Sequence, residues 1–161
     1  MVKRPKRKNP KKPSLNTVLR VTQKVEGQTW KQMFIIGEHW KSDVEFFNEE
    51  LDFLRRLVDK HYSTLVDEAN MERTKNLISM LGETQKRNDI LLQDVQSHMT
   101  HLSALFENPF AHDAQECKDE HENLETRVAN FSRDFRSVKR EAFALGKLAI
   151  ESEKAKHLLK A

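Results

Sequence analysis

The chain holds a single cysteine, Cys117, so no intrachain disulfide can form and the fold must be held by packing. A lone thiol fits a reducing compartment, which points to the cytoplasm, or to the nucleus in a eukaryote. Glycine and proline are scarce, four of each. With so few turn formers the chain can reverse direction only a few times, and phosphate-cradling loops, which need clustered glycines, are excluded. No apolar run approaches the roughly 18 residues of a membrane span. The longest runs, 33–36 and 142–145, each cover about one helical turn. The basic N-terminus is not followed by an apolar stretch, so no secretory signal is expected. The patterns G-x-S-x-G, H-E-x-x-H and C-x-x-C are missing too, and an enzyme is not expected.

What is present is one spacing, used three times. Apolar or small residues alternate at intervals of four and three through Trp40, Val44, Phe47, Leu51, Leu54, Val58, His61 and Leu65. The same alternation runs through Leu77, Leu81, Thr84, Asn88, Leu91, Val95, His98, Leu102 and Leu105. A third series is Cys117, His121, Leu124, Val128, Phe131, Phe135, Val138, Ala142, Leu145 and Ala149. This is a heptad seam, which keeps one stripe of a helix turned toward partner helices, whereas a strand needs period two. The spacing predicts helices over about 40–66, 71–106 and 113–160. Loops of five or six residues between them force antiparallel neighbours. The expected fold is all-α: an antiparallel up-down-up three-helix bundle with coiled-coil packing over 38–161.

Local signals refine the boundaries. Ser42 with Glu45 reads as a capping box opening the first helix, with Trp40 as a staple-like residue just before it. Asn70 is a candidate cap for the second helix, and Asp113 with Glu116 for the third. Gly82, Thr84 and Asn88 predict a kink or a polar layer in the second helix. Segment 14–37 reads as a linker or a short helix stopped by Gly27, with Trp30, Met33, Phe34 and Ile36 packing on the bundle. By the predicted lengths, residues 149–160 project past the start of the second helix.

The net charge of +3 conceals a division. Residues 1–20 carry eight of the 28 basic residues and no acid, which leaves 20 basic against 25 acidic residues and a net of −5 for the remainder. Residues 1–13 contain Lys3, Arg4, Lys6, Arg7, Lys8, Lys11 and Lys12, interrupted by three prolines. Such a stretch cannot bury enough surface to order itself, and a disordered arm is expected. It suits non-specific contact with phosphates of nucleic acid, nuclear import or acidic lipid headgroups. With no aromatic residue before Trp30, base stacking by the arm is excluded.

Two further groups stand out. Antiparallel counting sets His98 beside about residue 122 and about residue 40, so His98, His121 and Cys117 converge, with Glu125 one turn on. Imidazole, thiolate and carboxylate between helices can hold zinc or iron. The di-iron pattern Glu-x-x-His is absent from all seven histidines, however, so the expectation is a structural histidine layer and no cofactor. The second group is apolar surface that one three-helix core does not use: Phe46, Phe53 and Leu57 beside the first seam, and Ile150, Leu158 and Leu159 near the end. It points to a protein partner or a homodimer. The functional expectation is a non-enzymatic scaffold or protein-interaction module, with a nucleic-acid-associated protein and a metal-binding bundle as the alternatives.

Overall fold

The computed structural model describes residues 15–161 apart from Glu68 and Ala111, with side chains from Thr29 onward. The basic arm, 1–13, lies outside the described residues. The described chain is helical, with no strand: α1 (Leu15–Lys60), a one-turn α2 (Tyr62–Leu65), α3 (Met71–Glu107) and α4 (Ala114–Leu159). None of these helices is long and apolar enough to cross a membrane.

The start of the first helix differs from expectation. Neither Gly27 nor the Ser42–Glu45 pair marks a boundary, because α1 runs unbroken for 46 residues. The reason is a seam that continues upstream. Trp30, Met33, Gly37 and Trp40 keep the three-four alternation, and Trp30 is buried in a cluster with Leu102, Leu105 and Cys117. Gly37 keeps a helical backbone, and a Cβ there would stand 3.1 Å from Met99 Cγ. It acts as a point of close approach between α1 and α3. Ser42 and Glu45 are exposed mid-helix residues, and Trp40 is part of the core.

The seams pack as their spacing requires. Every residue of the three series is buried except the half-buried Phe47, which packs against the core. Each buried Leu or Phe is worth about 1.5–3 kcal/mol relative to exposure, so these three stripes supply most of the cohesion. Cross-helix pairs give the directions. Arg73, Arg87 and Asp94 of α3 pair with Glu141, Asp134 and Arg127 of α4, so numbers fall on one helix as they rise on the other. Asn88 Nδ2 donates to the Val44 carbonyl at 3.1 Å and Gln85 Nε2 to Asn48, which sets α3 antiparallel to α1. Lys139 pairs with Glu50, and Phe47 meets Phe131 and Phe135, so α1 and α4 rise together.

The joints are polar. Thr74 is buried and its hydroxyl donates to the Leu65 carbonyl, fastening α3 to α2. Asn70 does not cap α3 with its side chain. Its backbone N–H and its Nδ2 both donate to Asp67. Asp113 does cap α4, accepting from the N–H groups of Gln115 and Glu116 at 2.9 and 3.1 Å. The helix α3 passes through Gly82 without interruption, and the expected polar layer is present as buried Thr84 and Asn88. At the far end His61 and Thr64 both donate to Glu153. The covered part of α4 therefore reaches further than the expected limit near 149, and the exposed tip is 154–161.

Candidate functional site

A polar layer crosses the bundle near the α3–α4 connection. His98 sits on the α3 seam, 1% exposed, with both ring nitrogens engaged. Its Nδ1 donates to Glu120 at 3.0 Å, and its Nε2 lies 2.9 Å from His121 Nδ1. The His121 ring leans on Trp40 with centroids 4.5 Å apart. One turn along α3, His101 Nδ1 donates to both Glu120 oxygens. Cys117 lies buried one turn before His121, and its thiol has no hydrogen-bond partner among the described residues. One donor atom each from His98, Cys117 and Glu120 fall within 4.8 Å of one another.

Electrostatics follow from this placement. Burial pushes the Cys117 thiol up to about 11, helped by the nearby charges of Glu120 and Glu116, so the free thiol is protonated at neutral pH. Burial also pulls His121 down, and His98 adds to that, while Glu125 pulls the other way. For Glu120, burial raises the carboxyl, but hydrogen bonds from His101 and His98 outweigh it and hold the group below the usual carboxylate range. An anionic oxygen thus stands between two imidazoles, next to a protonated thiol.

Of the residues singled out for this layer, His98, His121 and Cys117 do come together. Glu125 stays exposed and outside the three-donor group, and Glu120 supplies the carboxylate. Glu120 is off the seam, so a search along seam positions passes it by. Its spacing of three from Cys117 matches the spacing of three between His98 and His101, and that paired pattern was the available signal.

The second candidate is the α1–α4 face. Phe46 and Phe53, two turns apart on α1, are 56% and 55% exposed. Phe53 meets Phe143 of α4 with ring centroids 6.4 Å apart. Ile150, two turns past Phe143, extends the same face. Leu57 is half-buried in the groove, close against Gly146, where an added Cβ would lie 3.1 Å from Leu57 Cδ2. Leu158 and Leu159 stand apart on the exposed tip. Charge divides across the first part of this face: exposed Glu45, Glu49 and Asp52 flank it on α1, and exposed Arg136 and Arg140 on α4, while further along Arg56 of α1 and Lys147 of α4 are both basic.

No protein-family model matches the chain, and no curated protein or solved structure shows significant similarity to it.

Proposed function

We propose that α1, α3 and α4 form an up-down-up bundle with coiled-coil packing that serves as a non-enzymatic scaffold or protein-interaction module. Its contact surface is the α1–α4 face. The observation that carries this reading is the exposed row Phe46, Phe53, Phe143 and Ile150, which sits outside an already closed seam. Contiguous exposed apolar surface of this kind marks contact sites.

The occupant we assign is a second copy of the chain. A two-fold axis running along the helices lays each α1 against the partner's α4 in the same direction. Lys139 is level with Glu50, so Glu45, Glu49 and Asp52 then face a partner flank carrying Arg136 and Arg140 at the same height. The opposite, antiparallel arrangement sets α4 on α4 and brings the two arginine flanks together, which costs electrostatic energy. Sedimentation at micromolar concentration tests the reading. A dimer that becomes a monomer of unchanged helicity on Phe53→Glu supports it, and a wild-type monomer overturns it.

A second reading rests on the seven basic residues of 1–13, set against the acidic remainder. Phosphate contact through them would add a salt-sensitive, sequence-independent affinity for nucleic acid. Deleting residues 1–13 should abolish that affinity, and tight binding that survives the deletion would refute it.

A further inference from the structure

We propose that His98, Cys117 and Glu120, with His101 closing the fourth position, form a zinc-binding centre that joins α3 to α4.

The four donors come as two matched pairs. His98 and His101 are three residues apart on α3, and Cys117 and Glu120 are three apart on α4. A spacing of three puts both members of each pair on one helix face, and the antiparallel course of the helices sets the pairs opposite each other. Donors from His98, Cys117 and Glu120 already lie within 4.8 Å of one another. Around a tetrahedral zinc with bonds of about 2.0–2.3 Å, donors stand about 3.3–3.8 Å apart, so a contraction of about 1 Å brings these three onto the ion, and His101, outside that group, must swing in to close the fourth position. His101 is the solvent-facing member, with its side chain 56% exposed and already bonded to Glu120.

The surroundings match what a bound ion needs. Ligating imidazoles are oriented by a hydrogen bond from the other ring nitrogen. His121 provides it: with His98 Nδ1 on the metal, His98 Nε2–H donates to His121 Nδ1, at the 2.9 Å separation already present. A depression of about 200 Å³ lined by His101, His112, Cys117 and Glu120 gives solvent access to three of the four donors. A purely hydrogen-bonded layer accounts for Glu120 between two imidazoles. It leaves the thiol, packed against Trp30, Leu102 and Leu105, with no polar partner among the described residues, and coordination gives it one: the thiol proton leaves to solvent and the sulfur lone pair goes to the ion. Thiolate and imidazole donors favour zinc over magnesium or calcium, which take oxygen. Four protein donors make a closed, structural site.

The test uses the full chain, stripped of metal by a chelator and kept reduced, then titrated with Co²⁺ and back-titrated with Zn²⁺. The expected result is one equivalent of Co²⁺ giving a sulfur-to-cobalt charge-transfer band and the strong visible bands of a tetrahedral ion, both removed by Zn²⁺. Cys117→Ser should remove the charge-transfer band. Glu120→Gln and His101→Ala each remove a ligand and should weaken Zn²⁺ binding by at least the roughly 10–100-fold that losing an outer-shell partner costs, with helicity unchanged. Should Cys117→Ser fail to fold, those two variants at less buried positions decide the matter. Absence of the band in the folded wild type, or unaltered Zn²⁺ affinity in both variants, would overturn the proposal.

Discussion

Midway along the bundle the seam is closed by Phe47, Phe131 and Phe135, whose rings contact one another, with Leu51 and Leu54 beside them. Near the α3–α4 connection the same seam is closed by Trp40, His98, His121 and Cys117. Apart from the half-buried Phe47, the residues of both levels are buried, and the levels share one spacing. They differ in what burial costs. Aromatic and aliphatic groups gain from leaving water, whereas imidazoles must find partners or lose free energy. The difference teaches that a heptad fixes which positions are covered, and chemistry at a covered position needs its own explanation. The aromatic level is explained by cohesion alone, and the histidine level is held by a network that reaches off the seam to Glu120.

The largest effect is expected where cohesion is the whole account. Phe135→Ala should cost about 3–5 kcal/mol in denaturant unfolding, as large-to-small core changes do. A loss below about 1 kcal/mol would show that the aromatic level is not the core. At the polar level, His121→Phe keeps the ring against Trp40 and removes the partner of His98 Nε2. Leaving that nitrogen buried and unpaired should cost about 1–3 kcal/mol, by the same measurement. Equal costs at the two levels would erase the distinction between them.

Glycines sharpen the comparison at smaller scale. An added Cβ at Gly82 meets nothing within 4 Å, so Gly82→Ala should stabilise by about 0.5–1 kcal/mol through helix propensity. Gly37→Ala carries the same propensity gain against a Met99 contact at 3.1 Å, and should fall short of the Gly82 gain. The smallest effect belongs to the far end. Hydrogen bonds from His61 and Thr64 hold Glu153 below the ordinary carboxyl value of 4.5. A lowered folded value means that the stabilisation is complete above the unfolded value and is lost as pH falls through the folded one. The difference in Tm between wild type and Glu153→Gln should therefore be largest near neutral pH and should close in acid. A difference that does not change with pH would mean that the Glu153 carboxylate charge contributes nothing.

Much of this was legible in the residues. The four-three spacing identifies the three seams position by position, and counting along them sets His98 beside His121 and near Trp40. The missed part was the beginning of α1. Gly27 and the Ser42–Glu45 pair imitate boundaries, but a glycine inside a helix looks the same in sequence as one that ends it. Continuity of the seam through Trp30 and Met33 was the stronger signal. Glu120 was missed for a related reason: it lies off the seam and enters the layer only because its side chain reaches across to α3. The exposed character of Phe46 and Phe53 followed from periodicity, while Phe143 was found only once α1 and α4 were side by side.

The central claim is that the α1–α4 face pairs two copies in the same direction, and distances across the dimer test it most directly. Nitroxide labels at Ser42→Cys and, in a separate variant, at Lys154→Cys, each in a Cys117→Ser background, report the spacing between copies near the two ends of the face by pulsed electron resonance. A parallel pair brings like residues to similar short distances at both positions, and that is the predicted result. Long distances at both positions, as an antiparallel pair would give, or no dipolar coupling between copies at either, would contradict the account.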